Sequence, residues 1–371
     1  MSEYQGIVAR KALEKIKPYV PGKPLEEVER ELGITNAIKM ASNENPLGPS
    51  PKAVGATQKS LAKLHIYPDG ACHNLTQKLV EHLKIGAEQI FIGNGSDSAI
   101  KLLGETFINP GDNAIMATPS FSEYDFSVKL MGGESKEIPC VDFKHDLASM
   151  LQAIDEKTKM VFICNPNNPT GTIITRQEID DFMARVPENI LVVFDEAYYE
   201  YVSDPQFVTG LEYIKKGYKN VIVLRTFSKI YGLAALRVGY AVADANLISW
   251  LKRAMLPFDV NTLAQVGATA ALDDKEHVEK SKNVNEAGKK YLYEKFSAMG
   301  LTYTETETNF IWVKINQDCR KVFQAMLREG IIIRTGDIFG FNEYIRVTIG
   351  TPEQNERFIN TLTKVVENIK K

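Results

Sequence analysis

Lys229 stands in the run Thr226-Phe227-Ser228-Lys229-Ile230-Tyr231-Gly232, with Arg237 eight positions further on. These residue types suit two kinds of chemistry. The amine can act as a covalent handle, and the hydroxyls of Thr226 and Ser228 with the Arg237 guanidinium can hold a phosphate. An amine used as a handle must lose its proton part of the time. Desolvation and a nearby fixed cation both lower its pKa, and Arg237 is placed to supply the second effect. The preceding Val221-Ile222-Val223-Leu224 is apolar and β-branched, as a buried parallel strand is. In open α/β sheets ligands sit beyond the carboxyl ends of such strands, where Lys229 falls. A Ser-Lys pair by itself means little, because most lysines are solvated.

Other strand ends carry matching parts. Met160-Val161-Phe162-Ile163 opens into Cys164-Asn165-Pro166-Asn167-Asn168-Pro169-Thr170-Gly171, and Ile190-Leu191-Val192-Val193-Phe194 ends in Asp195-Glu196-Ala197-Tyr198. Ile90-Phe91-Ile92 breaks at Gly93-Asn94-Gly95-Ser96-Asp97 before a helical pattern. Free N–H groups and the positive dipole end of that helix favour an anion, and Ser96 and Asp97 are residue types suited to an N-cap. Pro119-Ser120-Phe121 adds an aromatic ring. Each piece alone has an ordinary reading: a turn, a carboxylate at a helix start, a tight glycine turn, a core phenylalanine.

Together, and in this order, these pieces resemble the pyridoxal 5′-phosphate constellation of the fold-type I aminotransferases, from about Tyr19 to the end of the chain. The resemblance implies that Lys229 holds the cofactor as a Schiff base and then moves a proton as general base and acid. It places Asp195 beside the ring nitrogen and makes Asn168 and Tyr198 donors to the phenolate oxygen. Phe121 covers the ring face, and Ser96, Asp97, Thr226, Ser228 and Arg237 surround the phosphate. Three positions depart from the family pattern: Ser98 stands for the usual glutamate, Ala235 for glycine and Asp259 for asparagine. Asp259 is expected to bear on the substrate side of the pocket.

The segments Pro18-Tyr19-Val20-Pro21-Gly22-Lys23-Pro24, Ser42-Asn43-Glu44-Asn45-Pro46-Leu47-Gly48 and Tyr67-Pro68-Asp69-Gly70 look like those of histidinol-phosphate aminotransferases. That resemblance implies amino transfer between L-histidinol phosphate and 2-oxoglutarate in histidine biosynthesis, with ping-pong kinetics. The substrate carries a phosphate monoester where amino acids carry a carboxylate, so it needs more cationic donors. Arg334 in Ile331-Ile332-Ile333-Arg334 and Arg346 in Ile345-Arg346-Val347-Thr348 fit that need, with Tyr19 and Asn45 beside them. An internal salt bridge is the ordinary alternative for either arginine. The resemblance also takes Tyr67 across a homodimer interface to the neighbouring subunit's cofactor phosphate, although a tyrosine before Pro-Asp-Gly is also a common turn residue. Three other functions remain open at this stage. A broad aromatic-amino-acid aminotransferase would differ only in pocket lining, and a threonine-phosphate decarboxylase-like lyase would need no 2-oxoglutarate. A cofactor-sensing regulator would need a DNA-binding module, for which about forty residues before Asn43 leave no room.

The elements that must position these residues follow from alternation. Strands are expected to end near Ile92, Ala117, Pro139, Ile163, Phe194, Leu224 and Ala243, with helices such as Gln77–Lys84, Ser98–Phe107, Arg176–Arg185 and Asn246–Met255 between them. That pattern is an α/β fold: a mostly parallel central sheet covered by helices on both faces, with a smaller α+β C-terminal domain. The expected domains are an N-terminal arm, 1–45, packing on the small domain; a large cofactor domain, 46–257; and a small domain, 258–371. A long helical stretch from about Thr262 to Ala298 leads into the last. The 371 residues are 44% apolar and 25% charged, ordinary for a globular enzyme, and a net charge of −3 offers no basic face for nucleic acid or membranes. Cys72, Cys140, Cys164 and Cys319 are widely spaced and read as reduced thiols, not as a disulfide frame or metal site. Neither a signal-peptide pattern nor an apolar run approaching ~20 residues is present, so a cytoplasmic protein is expected.

Overall fold

The computed structural model describes residues 7–18 and 24–370. The chain enters through helix α1 (Leu25–Leu32) and the short strand β1 (Ile38–Lys39). Seven strands then build the central sheet: β2 (Ile90–Gly93), β3 (Asn113–Thr118), β4 (Glu134–Pro139), β5 (Thr158–Cys164), β6 (Leu191–Asp195), β7 (Val221–Thr226) and β8 (Gly239–Ala243). Their order is β2-β8-β7-β6-β5-β3-β4, and β8 alone runs against its neighbours. The central strands are apolar throughout because both faces are covered. Val161, Ile163, Val192 and Val223 pack into one core, and Met160, Phe162, Val193 and Leu224 into the other.

The path of the chain reverses beside β3. It runs outward from β3 to the edge strand β4, then returns on the other side through β5, β6 and β7. Such a reversal opens a crevice at the carboxyl ends of the strands. Helices α2 (Pro51–Ser60), α3 (His73–Leu83), α4 (Gly95–Phe107) and α5 (Glu123–Leu130) flank the sheet. Asn94 is the N-cap of α4, so Ser96 and Asp97 lie inside its first turn instead of capping it. The helix starts early because Gly95, at φ +82°, lets the chain turn directly out of β2.

The helical stretch expected over 262–298 is two helices, Thr262–Ala271 and Lys275–Ala298. Asp274 causes the break by capping the second helix, with its carboxylate also accepting from Ser50 Oγ at 2.5 Å and Lys52 N at 3.2 Å. The first helix is rich in alanine and packs closely on α2. The second leads to a smaller antiparallel sheet of β9 (Thr302–Tyr303), β10 (Phe310–Lys314), β12 (Arg334–Thr335) and β13 (Tyr344–Thr348), in the order β12-β13-β10-β9. Between them, β11 (Ile331–Ile332) pairs with β1. Val28 and Ala41 pack on Leu327 and Ile332, so the segment around β1 lies on this smaller unit. Residues 10–18 take another path: Arg10 donates to Leu130 O at the end of α5 at 2.9 Å, and Ile16, Lys17 and Pro18 line the crevice. No helix among the described residues is long and apolar enough to cross a membrane.

Candidate active site

A cleft of about 930 Å³ lies between the carboxyl edge of the large sheet and the smaller unit. Lys229 reaches it from the loop after β7, where Nζ donates to Ser42 O at 3.2 Å. Burial pushes its pKa down to about 8; Arg346 is the next cause and Arg237 a smaller one, with Asp97 and Glu44 opposing. The expected cation, Arg237, therefore contributes less than a residue from the other unit. Asp195 ends β6, which lies between β5 and β7. Its Oδ2 accepts from Tyr124 Oη at 2.7 Å and its Oδ1 from Ala197 N at 3.1 Å. Burial pushes its carboxyl up to about 6, against those two bonds. One residue on, Glu196 is buried with Oε2 accepting from Arg225 Nη2 at 2.8 Å and Nε at 3.0 Å, an ion pair that fastens the end of β6 to β7.

Two further donors are fixed by partners that leave their protons free to give. Asn168 Oδ1 accepts from Arg346 Nη1 at 2.5 Å, so its amide N–H₂ is free to donate. Tyr198 Oη accepts from Asn43 Nδ2 at 2.8 Å and keeps its own proton. Burial raises that hydroxyl's pKa further above the ordinary phenol range. Phe121 lines the cleft after β3 and meets Tyr124 edge-on at 5.7 Å between centroids.

At the other end, the first turn of α4 faces Arg237 and the loop after β7. Arg237 Nη2 is held by Asp97 at 3.0 Å, and Nη1 donates to Ser228 Oγ at 3.4 Å and Ala234 O at 3.1 Å. Ser96, Thr226 and Ser228 also line the cleft, with Thr226 Oγ1 accepting from Ser228 N at 3.1 Å. Glycines keep this cradle open. A Cβ on Gly95 would fall 2.7 Å from Arg237 Nη2, and one on Gly239 would fall 2.6 Å from Ser96 N. Backbone N–H groups, three hydroxyls and a guanidinium fit a phosphate. The carboxylate 195, amine 229 and donors 168 and 198 fit a protonated ring nitrogen, an aldehyde and a phenolate. The residues present thus suit pyridoxal phosphate.

The smaller unit supplies the opposite wall. Arg334 and Arg346 are direct cross-strand partners in the β12–β13 pairing, and both line the cleft. Like charges placed opposite each other destabilise a sheet, and an anion bound between them offsets that cost. The other expected substrate residues fall elsewhere. Asn45 does not face the cleft: its Nδ2 donates to Ile230 O at 2.7 Å and Ser281 Oγ at 2.9 Å, bracing the Lys229 loop. Tyr67 is 79% exposed and stacks on Phe258 outside this cleft. Tyr19 lies outside the described residues. Asp259 is not on the substrate side; its Oδ2 accepts from Asn94 N at 3.1 Å and Ser98 Oγ at 3.5 Å, at the start of α4.

A family model for class I and II aminotransferases matches residues 35–362. The chain belongs to the class I and II aminotransferases. A histidinol-phosphate aminotransferase of Moorella thermoacetica is 54% identical to it over 357 residues, 96% of this chain and 92% of that protein. Histidinol-phosphate aminotransferase 2 of Carboxydothermus hydrogenoformans is 49% identical, over 97% and 99%. In fold, the chain matches the crystal structure of the histidinol-phosphate aminotransferase of Sinorhizobium meliloti, determined with pyridoxal-5′-phosphate, at a TM-score of 0.90 and 24% identity over 100% and 99% of the two chains.

Sequence reasoning missed two residues that position side chains of this aminotransferase's cleft. Tyr124 is fully buried, stacked on Phe162 at 4.6 Å, and aims its hydroxyl at Asp195. Asn43 is buried and orients Tyr198. The signal for Tyr124 was its place on the inward face of α5, three residues after Phe121. The signal for Asn43 was its φ of +58°, which only the structure supplies.

Proposed function

We propose that the protein is a pyridoxal-phosphate-dependent histidinol-phosphate aminotransferase. It exchanges an amino group between L-histidinol phosphate and 2-oxoglutarate, yielding imidazole-acetol phosphate and L-glutamate, a step of L-histidine biosynthesis in the cytoplasm. The observation that carries this reading is the in-register pair Arg334 and Arg346 facing the amine of Lys229 across one cleft. Two guanidiniums suit a phosphate dianion better than one carboxylate. The near-full-length likeness to relatives of that name supports it.

When bound, the cofactor supplies an electron sink for negative charge at the substrate carbon. The chain's own residues do the rest. Arg334 and Arg346 hold the donor's phosphate and so fix the distance from that carbon to Nζ of Lys229. The Lys229 amine, half deprotonated near pH 8, takes the proton from the amine-bearing carbon. Asp195, steadied by Tyr124, keeps a proton on the ring nitrogen, which maintains the sink. Asn168 and Tyr198 donate to the phenolate, and Phe121 covers the ring and excludes water from that face. Ser96, Thr226, Ser228 and Arg237, with the first turn of α4, anchor the cofactor's phosphate, while Asp97 holds Arg237 in place. Tyr67, exposed beside Phe258, is suited to complete the cleft of a second copy in a homodimer.

The test follows the visible absorbance of the purified protein while L-histidinol phosphate, L-phenylalanine or threonine phosphate is added separately. Histidinol phosphate is expected to convert the cofactor to its amine form at the lowest concentration. An equal or better response to phenylalanine would move the protein to the aromatic aminotransferases. Carbon dioxide release from threonine phosphate would make it a lyase.

A further inference from the structure

Arg334 and Arg346 of the smaller unit line the cleft, and α5 of the larger unit brings Glu123, Asp125 and Lys129 to it. Five carboxylates line the cleft: Glu44, Asp97, Glu123, Asp125 and Asp195. Four have strong partners. Glu44 meets Lys39 at 2.6 Å, Asp97 meets Arg237 at 3.0 Å, Asp125 meets Lys129 at 2.8 Å, and Asp195 accepts from Tyr124 at 2.7 Å. Glu123 differs from them. Among the described residues its one hydrogen bond comes from Ser122 Oγ at 3.5 Å, and no cation lies within ion-pair distance. A carboxylate partly withdrawn from water without a cation is a site for a donor the protein itself does not supply.

We propose that Glu123 recognises the side chain of the amino donor, accepting a hydrogen bond from the imidazole N–H, and thereby favours imidazole-bearing over phenyl-bearing donors. This deepens the functional reading above and rests on it. Glu123 follows Phe121 by two residues, so it rides on the turn whose aromatic ring covers the cofactor face. The donor's three arms then meet three different groups: phosphate at Arg334 and Arg346, amine at Lys229, imidazole at Glu123. Imidazole donates to a carboxylate when neutral and forms an ion pair when protonated. A phenyl ring can do neither, and it would strip water from the carboxylate without replacing its hydrogen bonds.

A simpler role would be a helix-start carboxylate, since Glu123 is the first residue of α5. The helix dipole would then lower its pKa. Burial and the neighbouring charge of Asp97 instead raise it. The second substrate supplies a control. 2-Oxoglutarate carries a carboxylate at each end and no N–H donor, so Glu123 offers it nothing.

The test uses the cofactor-loaded enzyme and the variants Glu123→Gln and Glu123→Ala. Both half-reactions are followed by cofactor absorbance, with L-histidinol phosphate, L-phenylalanine and L-glutamate as donors and 2-oxoglutarate as acceptor. Loss of one charge-assisted hydrogen bond is expected to lower kcat/KM for L-histidinol phosphate about 10- to 100-fold in Glu123→Ala, mostly through KM, with Glu123→Gln between it and wild type. Phenylalanine is expected to react as well or better, and the glutamate and 2-oxoglutarate half-reaction to stay within about twofold. Equal losses for every substrate would show a merely structural role and overturn the proposal, as would an unaffected response to L-histidinol phosphate. A wild-type enzyme that prefers phenylalanine would sink the functional reading and this proposal together. A wild type that prefers histidinol phosphate, with unaffected variants, would sink this proposal alone.

Discussion

Asp195→Asn is expected to stabilise the empty protein and to weaken the loaded one. Asp195 is 4% exposed, and burial moves its carboxyl from 3.8 to about 6. At about 1.4 kcal/mol per pH unit, that rise corresponds to about 3 kcal/mol of destabilisation once the group is ionised in the fold. The folded-state value lies above the unfolded one, so the folded chain binds more protons across this window. Stability therefore falls as pH rises through it. The effect is small at pH 4, about half developed at pH 5 and complete above about pH 7. Asparagine keeps the size, removes the charge, and accepts from only one of Tyr124 and Ala197, which costs about 1 kcal/mol. In cofactor-free protein the variant should thus be more stable than wild type by about 2 kcal/mol at pH 8 and slightly less stable at pH 4.

Cofactor binding reverses the order at pH 8, because the carboxylate gains a protonated ring nitrogen as partner and the amide does not. Losing that charge-assisted contact should weaken cofactor affinity about 100-fold, about 2.7 kcal/mol, which exceeds the ~2 kcal/mol gained without cofactor. The assay is urea unfolding of cofactor-free wild type and variant from pH 4 to pH 8, repeated at pH 8 with saturating pyridoxal phosphate. Crossing stability curves without cofactor are the signature. Parallel curves, or a variant less stable at every pH, would refute the account of Asp195 as a carboxylate held ionised at the expense of the fold.

Covalent uptake of pyridoxal phosphate by the cofactor-free protein should speed up with pH and level off above about 8, as the Lys229 amine loses its proton. Arg346→Gln should move that limb upward by removing the main cation acting on Lys229, and Lys229→Ala should abolish borohydride-stable attachment; labelling of another lysine in wild type would contradict the site. Gly95→Ala places a Cβ 2.7 Å from Arg237 Nη2 at a φ of +82°, and is expected to destabilise the fold by about 1–3 kcal/mol. It should also weaken pyridoxal phosphate more than unphosphorylated pyridoxal, as measured by equilibrium dialysis. Arg334→Gln should raise KM for L-histidinol phosphate about 10- to 100-fold with kcat little changed, which steady-state kinetics would check.

What the sequence made legible is what the sheet itself organises. Lys229, Asp195, Asn168 and Phe121 each follow a short apolar strand, and a parallel sheet gathers the ends of its strands whatever the details of packing. Their chemical types could therefore be read as one site before any distance was known. Their partners depend on contacts between distant segments. Tyr124 and Asp195 are 71 residues apart, Asn43 and Tyr198 are 155 apart, and nothing local to either member announces the other. Asn43 and Asn45 show why a motif alone misassigns roles. They stand two positions apart in one recognisable segment, yet Asn43, at φ +58°, turns to Tyr198 while Asn45 braces Ile230 and Ser281. The start of α4 makes the same point, since Asp259 reaches it from 165 residues away and not the substrate side where its departure from the family pattern had put it. Arg334 and Arg346 fall between these cases. Each could be picked out singly as an arginine in an apolar, strand-like run, although Arg346 lies in the middle of β13 and Arg334 begins β12. That they oppose one another is a matter of register, fixed by pairing across twelve residues and by the core under β13, where Ile345 and Val347 are buried. A one-residue slip would turn one guanidinium to the other face of its sheet and dissolve the anion site, so the register of β12 on β13 carries as much of the specificity as the arginines do.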